Sequence, residues 1–91
     1  MTREEIRNVV VAALKGVAPE LQPATLDPGE SLREQLEIDS FDFLAFVIAL
    51  DKALAVAIPE SDYRKLISLD ACVDYLAARL QQRSEEKGAR R

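Results

Sequence analysis

Few side chains in this protein are able to do chemistry. There is no histidine, and Cys72 is the only cysteine. No Ser-His or Cys-His pair can be built, and the commonest general base and metal ligand is missing. A cysteine zinc site and an internal disulfide are excluded on the same ground. The 16 carboxylates form no pair facing a defined pocket, and the alternating ligands and central glycine of a calcium loop are missing. What stands out is a hydroxyl. Ser40 follows Asp39 and directly precedes a nearly unbroken apolar run, in the stretch LEIDSFDFLAFVIAL over residues 36–50, which holds all three phenylalanines. A serine before a helix is usually its N-cap. It could also be a point where something is attached. Both readings can hold for Ser40. Ser31 and Ser68 are each followed by leucine, as Ser40 is by Phe41, but neither precedes a comparably long apolar helix, and both read as caps.

The elements that must position Ser40 follow from periodicity. Residues 3–15 form an amphipathic helix with Ile6, Val9, Val10, Ala13 and Leu14 at helical spacing. Thr2 and Glu5 make a capping box at its start, and Gly16 is a natural stop. A long connection over 17–39 carries Pro19, Pro23 and the turn Asp27-Pro28-Gly29. Within it Ser31 and Glu34 can cap a single turn, with Leu32 and Leu36 pointing into the core. A loop this long in a small domain is functional or partly ordered by its own side chains. The second long helix spans 40–54. Phe43, Val47, Leu50 and Leu54 share one face with Phe46 beside them, and Phe41, Leu44 and Ile48 make a second stripe about 100° round. So much apolar circumference argues against full exposure on one side. Ala55 to Pro59 end this helix. A short helix over 60–67 turns Tyr63, Leu66 and Ile67 inward, and Ser68 caps a last helix over 69–82 with Leu69, Cys72, Val73, Leu76 and Leu80 inward. The predicted fold is all-α, a small bundle of three longer helices and one short helix with a long loop after the first. One domain is expected over residues 1–83, followed by a flexible basic tail over 84–91.

Composition bounds the function further. The 91 residues suffice for one domain, and 48% of them are apolar, which argues against whole-chain disorder. The net charge of −4 hides an asymmetry. Residues 1–78 carry 14 acids and 7 bases, and residues 79–91 carry 2 acids and 5 bases, so −7 and +3 make up the total. Nine acids fall between Asp27 and Asp62 against Arg33 and Lys52. That surface repels nucleic acid and attracts a basic protein partner. No apolar run approaches the roughly 20 residues of a membrane span, and the charged N-terminus does not read as a signal peptide. A reducing, cytoplasmic setting and a monomer are expected.

Leu36-Glu37-Ile38-Asp39-Ser40-Phe41-Asp42 resembles the Asp-Ser-Leu attachment motif of acyl carrier proteins. The resemblance runs on through Leu44, Val47, Ala49-Leu50 and Ile58-Pro59-Glu60 to Ala71-Cys72-Val73-Asp74-Tyr75-Leu76, and covers roughly residues 3–80. The tripeptide alone is weak. Its context is specific: serine at the head of a long helix, Ile-Pro-acid downstream, a short helix, then a helix with Asp-Tyr-Leu. The resemblance implies that Ser40 carries a covalent 4′-phosphopantetheine whose thiol holds acyl groups as thioesters for partner enzymes. It implies that Asp39 is read by the phosphopantetheinyl transferase that loads the arm. Phe41, Asp42, Ile48 and Asp51 would form the surface read by that transferase and by acyl-transferring and acyl-modifying enzymes. The protein itself would not be an enzyme. Asp39 also departs from peptidyl carriers, which usually place histidine there. Other departures are Glu37, where the family often has glycine, and Ala45 and Lys52 at positions usually glutamate. A more apolar, less acidic helix suggests a specialised fatty-acid, polyketide or lipid-related pathway. Phe43 and Phe46 are bulkier than is usual and would shrink any cavity sheltering an acyl chain. Cys72 reads as a small core residue. The competing reading is an unmodified helical interaction module that docks a partner helix on the Phe41–Ile48 face.

Overall fold

A computed structural model describes residues 1–89, with side chains through residue 82. Its longer helices are α1 (Arg3–Val17), α3 (Ser40–Leu54) and α4 (Leu69–Ala89), with α2 (Leu32–Gln35) a single turn. Short 3-10 segments lie at Pro23–Thr25 and Glu60–Leu66. α1 packs against both α3 and α4, and the second 3-10 segment packs on α4. The all-helical expectation holds, and no strand occurs among the described residues.

α1 starts where the capping box predicts. Thr2 Oγ1 accepts from the Glu5 amide at 3.1 Å, and the Glu5 carboxylate accepts from the Thr2 amide at 2.8 Å. These bonds hold the Glu5 carboxyl below its ordinary range. Gly16 does not stop the helix. It lies within α1, which leaves helical geometry at Ala18, before Pro19. A residue preceding proline is disfavoured in the α region, and that rule prevails over the glycine.

The long connection is ordered by its own side chains. The Gln35 amide group donates to the carbonyls of Asp27 and Glu30 at 2.9 and 3.2 Å, and its oxygen accepts from the Asp27 amide at 3.0 Å. Asp27 Oδ1 accepts from the Gly29 amide at 2.9 Å. Leu26 and Leu32 are buried beneath this network and Leu36 is half-buried, while Ser31 caps α2 through the Glu34 amide at 3.3 Å. Backbone bonds from Leu32 N–H to the Ile67 carbonyl, 2.8 Å, and from Asp70 N–H to the Pro28 carbonyl, 3.0 Å, tie the connection to the start of α4.

The core is mostly aliphatic, with the rings of Phe43 and Phe46 buried among the branched side chains. Ile6, Val10 and Leu14 of α1 meet Phe46, Val47 and Leu50 of α3 and Leu69, Cys72 and Leu76 of α4, all buried. Each large side chain so placed stabilises the fold by roughly 1.5–3 kcal/mol relative to exposure. Cys72 is inert here: its thiol donates to the Leu66 carbonyl at 3.5 Å, and burial pushes its pKa up to about 12.

Three expectations need correction. The segment at Glu60–Leu66 is 3-10, and Ile67 points outward at 58% exposure although Leu66 is buried and Tyr63 half-buried. A tighter winding shifts the inward positions, so a 3.6-residue count misplaces the end of the segment. The second stripe of α3 is left open: Phe41 is 82% exposed, Leu44 41% and Ile48 45%. The final helix passes residue 82 and runs to Ala89. Ser68 caps it as expected, accepting from the Ala71 amide at 3.1 Å. Residues 90 and 91, and side chains from residue 83 on, lie outside the described residues, so of the basic tail only the backbone through Ala89 is described.

Candidate functional site

The site is built on the first turn of α3, whose start turns on a choice between neighbours. Asp39, not Ser40, is the N-cap. Its backbone is extended, and its Oδ1 accepts from the Asp42 amide at 2.8 Å. A carboxylate there satisfies one of the free N–H groups and complements the dipole. Ser40 becomes the first helical residue. It is exposed, and among the described residues no hydrogen bond engages its hydroxyl. The amides of Ser40 and Phe41 also have no partner there, since the next two N–H groups, of Asp42 and Phe43, bond to Asp39. A free hydroxyl beside unpaired amides at the positive end of a 15-residue helix suits an anionic phosphodiester.

Approach to Ser40 is shaped by a left-handed turn. Glu37 has φ 53°. Its neighbours fold back through bonds from Glu37 N–H to the Glu34 carbonyl, 3.4 Å, and from Ile38 N–H to the Arg33 carbonyl, 3.2 Å. Ile38 is thereby buried while Asp39 and Ser40 remain outside. The expected departure from glycine at Glu37 thus falls at a backbone position that favours glycine.

The structure brings most, not all, of the expected site residues together. Ser40 heads the open stripe of Phe41, Leu44 and Ile48, and Asp51 lies half-buried along the same side by helical period. Asp42 turns away, about 120° round the helix from Ile48 by the same period. Ala45 and Lys52 lie on the open side, so the stripe is more apolar than acidic.

Beside Ser40 opens a groove of about 920 Å³ between α2, the head of α3 and the second 3-10 segment. Phe41, Leu44, Tyr63 and Ile67 line it, with Arg33 and Arg64. Its far wall is pinned to α4, because Tyr75 donates its hydroxyl to Asp62 at 2.6 Å and Arg79 donates to the Ala57 carbonyl at 2.8 Å. The Tyr75 bond lowers the Asp62 pKa, while burial and that bond raise Tyr75 to about 12. Sequence reasoning missed the groove. Arg33 was visible only as one of two bases in an acidic stretch, and Ile67 was assigned to the core.

Comparison with known proteins agrees with this geometry. The family model described as "Phosphopantetheine attachment site" matches residues 4–76. An acyl carrier protein of Campylobacter hominis is 37% identical over 73 residues, covering 80% of this chain and 86% of that protein. An acyl carrier protein of Rubrobacter xylanophilus is 35% identical over 79 residues, covering 84% and 93%. The solution structure of a candidate acyl carrier protein from Anaplasma phagocytophilum superposes with a TM-score of 0.74 at 26% identity, covering 86% of this chain and 91% of that one. Membership in this family implies a covalently attached 4′-phosphopantetheine group. Its members are carriers that work with acyl-handling enzymes and are activated by phosphopantetheinyl transferases. With a free serine at the head of its second long helix and a family match across most of its length, the chain belongs to the acyl carrier protein family.

Proposed function

We propose that Ser40 is the attachment point and that the protein presents acyl groups, as thioesters on the arm, to partner enzymes in a specialised fatty-acid, polyketide or lipid-related pathway. The observation that carries this reading is the division of labour at the head of α3. Asp39 does the capping, which leaves the exposed Ser40 hydroxyl free. When bound, the arm supplies a thiol that forms thioesters and a tether that keeps the cargo at high effective concentration near each partner. The residues of this chain hold and display it. The unpaired amides of Ser40 and Phe41 favour the phosphodiester charge, and Asp39 is read by the transferase.

Phe41 and Ile48, with Asp51, form the partner surface, and Asp42 contributes from the flank. The open apolar stripe supports that assignment, because exposed aromatic and branched side chains anchor interfaces. The two positions lacking the family's glutamates, Ala45 and Lys52, support a specialised set of partners. In this reading the protein is a cytoplasmic monomer and performs no catalysis itself. No helix of the described residues is long and apolar enough to cross a membrane.

Intact mass after incubation with coenzyme A, magnesium and a broad-specificity phosphopantetheinyl transferase tests the assignment. The wild type is expected to gain one phosphopantetheine and Ser40→Ala none. No gain by folded wild type beside a working control carrier, or a gain by Ser40→Ala, would overturn it.

A further inference from the structure

The space behind Ser40 is closed and the space in front of it is open. Behind it, Phe46, Leu50 and Leu66 are fully buried. Phe43 tilts against Phe46 at 5.9 Å and meets Tyr63 edge-on at 6.4 Å, so aromatic rings fill the gap between α3 and the second 3-10 segment. In front lies the groove, with Ser40 on its lip and an apolar lining from Phe41, Leu44 and Ile67. Arg33 and Arg64 both line it. The Arg33 guanidinium sits 5.8 Å over the Phe43 ring, which steadies the group while leaving its N–H edge free. Glu34 and Glu60 also border the groove. Yet among the described residues the ion pairs are Arg3–Asp74 and Lys65–Asp62, so neither groove arginine is matched by an acid.

From this we infer that the acyl group on the arm lies in the outer groove rather than inside the bundle, and that the groove fits a cargo ending in a carboxylate, such as a dicarboxylic half-thioester. This rests on attachment at Ser40. The apolar lining takes the methylene chain. The planar guanidinium fork takes the terminal carboxylate, which it matches better than any neutral end. A saturated monocarboxylic chain of equal length gains nothing from the arginines.

The test loads the full-length protein through the transferase with adipoyl or hexanoyl coenzyme A, whose acyl phosphopantetheine passes to the Ser40 hydroxyl with release of adenosine bisphosphate, and checks each product by intact mass. Amide shifts from 15N spectra and the rate of thioester cleavage by hydroxylamine are then compared with the holo protein. Adipoyl is expected to shift the amides of Arg33, Arg64 and Ile67 beyond hexanoyl. It should also slow cleavage by about two- to fivefold, the factor an exposed ion pair supplies. Arg33→Gln and Arg64→Gln should each reduce the difference between the two cargoes. Equal behaviour of the cargoes overturns the inference, as do hexanoyl shifts centred on Phe46, Leu50 and Leu66. So do groove shifts already complete in the holo protein, which would assign the arginines to the phosphodiester. A failure of attachment is read separately, as absence of any mass gain.

Discussion

Because Asp39 caps α3, replacing Ser40 removes no hydrogen bond that holds the helix. Ser40→Ala is expected to change stability by no more than about 0.5 kcal/mol, as for a surface substitution. Asp39→Ala is expected to cost about 1 kcal/mol through the lost cap. Urea denaturation of the two variants side by side checks this, and equal losses would sink it. The pair Asp39-Ser40 was legible as the head of a helix, but its roles were not, since both residue types cap well and a one-residue change in the start exchanges them. Alkaline stability is a second prediction at this scale. Cys72 and Tyr75 both have pKa values raised to about 12 from 9.0 and 10.0. Their stabilising contribution is complete below those unfolded values. Above them the unfolded chain releases protons that the fold retains, so stability falls as pH rises toward about 12. The melting temperature should decline across that window, more shallowly in Cys72→Ala, and a parallel decline would remove Cys72 as a cause. Asp62 works in the opposite direction. Its pKa is lowered by the Tyr75 bond, so its contribution is present at neutral pH and lost as pH falls through its folded value.

α3 is bounded at both ends by residues in the left-handed region, Glu37 with φ 53° before it and Ala55 with φ 52° after it. Neither is glycine, and a side chain there costs roughly 1 kcal/mol or more in the folded state. Glycine relieves that strain but loses more entropy on folding. Glu37→Gly and Ala55→Gly are therefore each expected to stabilise the protein by about 0.5–1 kcal/mol, seen as a higher denaturation midpoint. A lower midpoint would mean that the side chain contributes a contact worth more than the strain. Apolar periodicity made the existence and inner faces of α1, α3 and α4 readable, because each buries a regular stripe such as Ile6, Val10 and Leu14. Terminations were less readable. Glycine at position 16 looked like a stop, yet the effective one was the proline at 19, and no glycine marks the left-handed end of α3. The 3-10 winding at Glu60–Leu66 was also hidden, since a seven-residue segment with two inward side chains fits either period.

The bundle separates α3 into a side that holds the fold together and a side that holds nothing within it. Helical period separated the two stripes in the sequence, but the family resemblance, not the period, put Phe41 and Ile48 on the partner side, because the helix is apolar on both. Phe46 is fully buried between the helices, and Phe41 is 82% exposed. Phe46→Ala is expected to cost about 3–5 kcal/mol through lost burial and a residual cavity. That is a large part of the roughly 5–15 kcal/mol that holds a small domain folded. Phe41→Ala removes almost no buried surface, so its stability should stay within about 0.5 kcal/mol of wild type. If the open stripe is where partners dock, the same substitution should lower kcat/KM for loading by the transferase roughly tenfold or more, the loss typical of an aromatic anchor. The loss should persist at high salt, because an apolar contact is not screened, whereas losses caused by removing Asp42 or Asp51 should shrink as salt screens the wild type's advantage. Loading kinetics of Phe41→Ala, Ile48→Ala and Asp51→Asn at low and high ionic strength separate the two contributions. Unchanged kinetics in the two apolar variants would move the docking surface off the stripe.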